Sequence, residues 1–232
     1  MKYESAVENG ATRTLVSTGD NRSTVFVPAS VPASKRAMDL LIAIPALLFL
    51  SPAMLVIGLL IKVFDGGPIF FIQPRRGAGG EYFFCMKFRT MRTDAAEMLA
   101  HILATDPVRA AEWRETQKLT NDPRITGIGH FLRKSSLDEL PQLLNIISGE
   151  MSIVGPRPIV DSEVERYQDD IAYYDSVLPG VTGLWQVNGR SSTTYAERVA
   201  FDREYAETRT LLGDVVILFQ TIPAVFLGRG AV

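Results

Sequence analysis

The longest uninterrupted apolar run lies between Asp39 and Lys62, where the 22 residues from Leu40 to Ile61 carry no charge. As a straight helix such a run reaches about 33 Å, close to the hydrocarbon thickness of a bilayer. A spanning helix is the simplest reading of that length. Two features point elsewhere. Ser51-Pro52 sits at the centre of the run, with Pro45 ahead of it; proline removes a backbone donor and clashes with the preceding turn, so a break is predicted there. Both flanks are also basic, with Lys35 and Arg36 before the run and Lys62, Arg75 and Arg76 after it. The positive-inside rule gives such a segment no direction across the membrane. A segment that enters one leaflet, turns at Ser51-Pro52 and leaves by the side it entered puts both basic ends on the cytoplasmic face. The run starts too far from the N-terminus, and is too long, to be the apolar part of a signal peptide. Gly66-Gly67-Pro68 closes it with a turn signal.

Shorter patterns fill the remainder. Residues 1–34 are punctuated by Ser, Thr, Gly and Pro without a sustained apolar period, which predicts a flexible tail; Thr24 to Val27 is the stretch a partner could order. Strands are predicted over Pro68–Phe71 and Glu81–Phe88, around the glycine-rich turn Gly77–Gly80. Helices are predicted over Thr93–Leu103, capped by Thr93, over Val108–Leu119, within Ser136–Ile147, capped by Ser136, and over Tyr195–Glu207. Leu211–Leu227 is a further helix, interrupted at Pro223 and apolar enough for a core or a membrane interface. The fold class is α+β, helix-rich, with a few short strands.

Composition narrows the function. With 47% hydrophobic residues the chain is too apolar for wholesale disorder, and a net charge of −2 excludes a general nucleic-acid binder. The single cysteine, Cys85, permits no disulfide within the chain and reads as a buried strand residue. Charge is uneven: Lys62–Lys134 holds 12 basic and 8 acidic side chains, whereas Ser135–Val232 holds 7 basic and 14 acidic. The positive part adjoins the apolar run, which suits an anionic lipid or substrate. A dinucleotide loop at Gly77-Ala78-Gly79-Gly80 fails because Tyr82 stands where a glycine is required. Two histidines, His101 and His130, cannot build a histidine-rich metal site.

The chemistry concentrates in Arg133-Lys134-Ser135-Ser136-Leu137-Asp138-Glu139-Leu140-Pro141-Gln142. Adjacent acids at a helix start have an ordinary explanation, since they complement the helix dipole. Their surroundings suggest more. Downstream, Gly155-Pro156-Arg157-Pro158 restrains the backbone around one arginine, an arrangement suited to bidentate phosphate recognition. Carboxylates beside arginines suit Mg²⁺-assisted phosphoryl transfer, in which hard oxygen ligands hold the ion.

From about Ser34 to Gly230 the chain resembles the monotopic phosphoglycosyl transferases of the bacterial sugar transferase family, and most closely the small galactosyl-phosphate transferases that start exopolysaccharide synthesis. The resemblance is carried by Lys35-Arg36-x-x-Asp39, Ser51-Pro52, Gly66-Gly67-Pro68-Ile69-Phe70-Phe71, Lys87-Phe88-Arg89-Thr90-Met91, Asp122-Pro123-Arg124-Ile125-Thr126, Ser136 to Gln142, Val154 to Pro158 and Pro179 to Arg190, in family order and spacing. It implies a UDP-sugar donor, an undecaprenyl phosphate acceptor, and a ping-pong reaction through a phosphoryl-aspartate on Asp138. Glu139 would be its companion, as base or, with Asp138, as Mg²⁺ ligand. Lys87, Arg89, Arg133 and Arg157 would supply positive charge, and Gln186 and Arg190, with Trp185, would help hold nucleotide or sugar. The family pattern also implies a re-entrant membrane hairpin over 35–64, broken at Ser51 and Pro52, on a compact cytosolic catalytic domain over 65–232 at the bacterial inner membrane. Galactose is the favoured sugar, then glucose, then an acetamido sugar, and a homodimer is compatible. Two other readings remain open: a non-catalytic membrane scaffold of a polysaccharide export complex, and a membrane-bound nucleotide-sugar hydrolase.

Overall fold

The computed structural model describes the strands over 3–8, 11–16 and 24–26 and the residues 31–116, 118–189 and 193–226. The first 34 residues, expected to be a flexible tail, contain an antiparallel three-stranded sheet, β1 (Tyr3–Glu8), β2 (Ala11–Val16) and β3 (Thr24–Phe26), paired in chain order.

Helix α1 runs from Ala33 to Asp65 with Pro45 and Pro52 inside it. No second helix starts at Pro52, so the expected helix–break–helix is a single run of helical backbone. Ser51 supplies a local reason. Pro52 has no N–H for the carbonyl of Leu48, four residues back. The Ser51 hydroxyl donates to that same carbonyl at 2.9 Å, filling the gap in a segment with few other donors.

Both ends of α1 are fastened to the rest of the molecule. At the N-terminal end, Lys35 Nζ lies 2.7 Å from Asp214 and 3.6 Å from Asp39, and donates to the Val154 carbonyl. Arg36 donates to the carbonyls of Ile146 and Ile147. Asp39, fully buried, accepts from the Ser152 hydroxyl and the Ile153 amide. At the other end, Ile57 and Ile61 pack with Phe88 and Leu132. Between these anchors Leu48, Phe49 and Leu55 are 70–83% exposed. Lys35 and Arg36, read as flanking charges for the lipid surface, are therefore structural cations turned inward. Apart from Asp39, their partners lie more than a hundred residues away and cannot be seen in a local charge pattern.

Strands β4 (Phe70–Arg76) and β5 (Tyr82–Phe88) form an antiparallel hairpin. Its register pairs Phe71 with Lys87, Gln73 with Cys85 and Arg75 with Phe83, so these six side chains share one face. Helices α2 (Ala95–Thr105), which starts after Asp94 rather than at Thr93, and α3 (Pro107–Thr116) follow. The Thr126 hydroxyl caps α4 (Gly127–Ser135) by accepting from the Gly129 amide at 3.0 Å. Then come α5 (Gln142–Ser148), β6 (Ser152–Val154), α6 (Asp161–Val164), α7 (Ile171–Asp175), β7 (Gly180–Thr182), α8 (Leu184–Asn188), α9 (Tyr195–Thr208) and α10 (Leu211–Phe226). β6 and β7 pair in parallel. The main core joins Ala43 of α1 and Phe83 and Cys85 of β5 to Ile146, Met151, Val154, Tyr205 and Ile217.

One close approach sets the geometry behind the site. A Cβ on Gly129 would stand 2.0 Å from the Thr90 carbonyl oxygen. Gly129→Ala is accordingly expected to force α4 away from the end of β5. Overpacking of this kind costs about 1–3 kcal/mol or more. A thermal-unfolding midpoint equal to that of the parent protein would contradict this packing.

Candidate functional site

Asp138 and Glu139 occupy a single 3-10 turn, Leu137–Glu139, in the corner between α4 and α5. The corner is tight because Ser136, which ends α4, adopts the left-handed conformation at φ 56°. Pro141 precedes α5. The helix expected from Ser136 onward is thus a cap, a 3-10 turn and a shorter helix, which lifts the two acids out of a helix face and into a corner.

The face of the hairpin carrying Lys87 meets this corner. Lys87 Nζ lies 2.5 Å from Glu139 Oε1, and Arg157 Nη1 lies 3.8 Å from the same oxygen. A small polar cleft beside them is lined by Arg75, Cys85, Lys87, Glu139, Gln142 and Arg157. Arg157 sits in the loop after β6, and that loop is held by backbone. The Gly155 amide donates to the Thr182 carbonyl at 2.8 Å, and the Gly180 amide donates to the Pro156 carbonyl at 2.7 Å. A Cβ on Gly155 would lie 2.3 Å from the Leu178 carbonyl oxygen, so only glycine lets the chains come this close. The Arg157 guanidinium stands 5.8 Å from the Trp185 ring centroid, and Arg198 stands 5.1 Å from the same ring. That places Trp185, and α8 with Gln186 on it, next to the arginine loop.

The two acids sit in different electrostatic settings. Burial, reinforced by the negative charge of Glu139, raises the Asp138 pKa above its ordinary value, and Lys87, Arg133 and Arg157 only partly offset this. Burial also acts to raise Glu139, but Lys87 and Arg157 outweigh it, and the net shift is downward. Glu139 is thus an ionised counter-charge that organises two cations. Asp138 accepts no hydrogen bond among the described residues, and its negative charge favours the charged form of the Arg133 guanidinium.

Several residues escaped the sequence reading as site residues. Arg75 shares the Lys87 face, and burial followed by repulsion from Arg157 lowers its pKa. Strand alternation across the hairpin is the signal that could have found it. Gln142 is buried at the cleft wall. Lys118 has its pKa lowered by partial desolvation and by repulsion from Arg157 and Arg133, which places it on the positive side of the same site. Among the expected residues, Arg89 is elsewhere: its buried guanidinium donates to the Gly66 carbonyl where α1 ends. Ser51 and Pro52 are inside α1. Arg190 lies outside the described residues.

Among the described residues no three His, Cys, Asp or Glu side chains converge as a metal cage. Asp138 and Glu139 are hard oxygen donors of the class that holds Mg²⁺, an ion usually bound by one or two carboxylates together with substrate phosphates and water.

Residues 31–228 match the bacterial sugar transferase family. The exopolysaccharide production protein ExoY of Sinorhizobium fredii is 53% identical over 198 residues, covering 85% of this chain and 88% of its own length. The undecaprenyl-phosphate galactose phosphotransferase of Salmonella typhimurium is 48% identical over 197 residues, 85% of this chain and 41% of its length. The UDP-glucose:undecaprenyl-phosphate glucose-1-phosphate transferase of Escherichia coli is 39% identical over 205 residues, 85% of this chain and 41% of its length.

Proposed function

This chain belongs to the bacterial sugar transferase family, and from that premise we propose that it moves a hexose 1-phosphate from a UDP-sugar to undecaprenyl phosphate, as the first membrane step of exopolysaccharide synthesis. The observation that carries this reading is the asymmetry of the dyad. One carboxylate is pinned between Lys87 and Arg157, while its neighbour is partly buried, accepts no hydrogen bond among the described residues and feels the same cations.

In the first half-reaction an Asp138 carboxylate oxygen attacks the β-phosphorus of the UDP-sugar. The bond from that phosphorus to the bridging oxygen breaks, and UMP departs with the oxygen and its electron pair. The sugar phosphate is left on Asp138 as an acyl phosphate. In the second, an oxygen of undecaprenyl phosphate attacks the same phosphorus. The Asp138 carboxylate is released and a diphosphate-linked sugar forms. Each step brings an anion toward a phosphoryl group, so preorganised positive charge lowers both barriers. Arg133 faces Asp138, and Lys87 and Arg157 hold Glu139 and border the substrate. Mg²⁺, held by Asp138 or Glu139 together with substrate oxygens, supplies charge neutralisation when bound. Galactose is the sugar we assign, because the galactose enzyme named above is more similar than the glucose enzyme.

The acceptor phosphate sits at headgroup depth while the nucleotide sugar is water-soluble, so the site belongs at the cytoplasmic face of the inner membrane. The fastening of both ends of α1 to one fold supports a segment that enters and leaves by the same side. The outward Leu212 and Phe219 of α10, 74% and 69% exposed, add a second apolar contact. The check is single-cysteine labelling at Ala37 and Val63 in a Cys85→Ser background. Both positions are expected to react from the cytoplasmic side only, and reaction of either from the opposite side contradicts the re-entrant path.

The direct test of function is UMP release by the purified protein with Mg²⁺ and a panel of UDP-sugars, with and without undecaprenyl phosphate. Lipid-dependent release, greatest with UDP-galactose, is expected. Continuous release without lipid would indicate a hydrolase. No release from any donor would favour a non-catalytic scaffold.

A further inference from the structure

We propose that Thr90 is a positioning residue for the reaction, acting by fixing the guanidinium of Arg133. The inference rests on the reading of Arg133 as a substrate-phosphate cation and adds the group that aims it.

Arg133 lies in the last turn of α4, four residues before the dyad turn begins at Leu137. A long side chain there has considerable rotamer freedom to lose. Its Nε donates to the Thr90 hydroxyl at 2.9 Å. Its two terminal nitrogens, Nη1 and Nη2, make no hydrogen bond among the described residues. They are the pair that bridges two phosphate oxygens in bidentate recognition. A lock at Nε leaves that pair available.

Thr90 is well placed to act as a fixed post. It is 7% exposed, and its own backbone is clamped. The Thr90 carbonyl accepts from the Thr126 amide at 3.0 Å, the residue that caps α4. Gly129 of the same helix presses against that carbonyl. The helix that carries Arg133 and the strand end that carries Thr90 are thereby held in one register. The nearby acid that could compete for Arg133 is already engaged. Both oxygens of Asp122 are taken by Arg124, at 2.6–3.1 Å. Arg133 is therefore left to Thr90 on one edge and to the reaction on the other.

The experiment is a double-variant cycle on kcat/KM for the UDP-sugar, read as UMP release. Thr90→Val keeps the shape of the side chain and removes the acceptor, leaving the part-buried Nε–H without a protein partner. It is expected to lower kcat/KM by about 10–100-fold, the scale on which a misplaced catalytic group acts. Thr90→Ser keeps the hydroxyl and is expected to restore most of that loss. In an Arg133→Met background Thr90→Val is expected to change the rate by less than about twofold, because the group it positions is gone and the pair is coupled. An equal loss in both backgrounds, no loss in the parent background, or no recovery with Thr90→Ser overturns the inference. Asp138→Asn is run alongside. Retained turnover in that variant would overturn the underlying reading of the site, whereas a dead Asp138→Asn with an additive Thr90 effect would overturn only the positioning role.

Discussion

Asp138→Asn is expected to abolish UMP release, lowering kcat on the order of 10⁴–10⁶-fold, the scale on which removal of a covalent nucleophile acts. The same change is expected to leave the fold at least as stable. Ionised Asp138 is partly desolvated and stands next to ionised Glu139, and both effects penalise its charge. The linkage sign follows from the raised pKa. A carboxyl whose folded pKa lies above its unfolded value contributes stability in acid. That contribution is lost as pH rises from the unfolded value through the folded one. At neutral pH the parent protein therefore carries a penalty that the amide lacks, and the difference shrinks as the pH is lowered. Glu139 has the opposite sign: its lowered pKa contributes stability above the ordinary carboxylate value, which is lost as pH falls through the folded one. For catalysis, Asp138 must be ionised to attack. The acid limb of kcat/KM is therefore expected above the ordinary aspartate range. A dead variant with a lower unfolding midpoint at neutral pH would contradict this electrostatic account.

The second large effect lies far from the chemistry. Lys35→Met is expected to destabilise the protein by about 3–5 kcal/mol, because it strips the cation from a buried cluster. Asp39 and Asp214 are 0% and 3% exposed, and Lys35 is the cation that reaches both. Each keeps neutral donors: the Ser152 hydroxyl and Ile153 amide for Asp39, and the Tyr205 hydroxyl for Asp214. Neither keeps an opposite charge among the described residues. For a chain of this size the loss corresponds to a fall of roughly 6–20 °C in the unfolding midpoint. Adding Asp214→Asn to Lys35→Met should recover a substantial part, since the cost comes from charge left unpaired. The cluster ties α1 to β6 and α10, so the variant is also expected to loosen the apolar helix. Faster proteolysis near residue 33, with the catalytic turn still protected, would register it.

The chain showed which charged residues converge more clearly than what holds them there. Asp138, Glu139 and the Arg157 loop were legible because the acids are adjacent and because glycine and prolines restrain the backbone around one arginine. Lys87 and Arg133 came with the motifs around them. Arg75 and Thr90 were harder to see because each acts through a partner set by hairpin register or by the docking of α4. Strands β6 and β7, three residues each, are too short to show a period. The apolar run was plain, but its ends were misread: Lys35 and Arg36 resemble membrane-flanking charges until Asp214 and the α5 carbonyls come into range. Ser51-Pro52 was read as a break, whereas the serine hydroxyl takes over the carbonyl that the proline leaves unserved and the helical backbone continues. Arg89 belongs to a motif that also carries Lys87, yet two residues along the strand end its side chain serves the turn after α1.

The central claim is covalent: the sugar phosphate rests on Asp138 between the two half-reactions. Its most direct test is mass spectrometry of the protein after brief exposure to UDP-galactose and Mg²⁺ without undecaprenyl phosphate, followed by mapping of the modified peptide. The account predicts a gain of one hexose phosphate on the peptide containing Asp138, discharged on adding the lipid phosphate and absent from Asp138→Asn. Lipid-dependent transfer proceeding at full rate with no such adduct, or with the adduct on another residue, would contradict it.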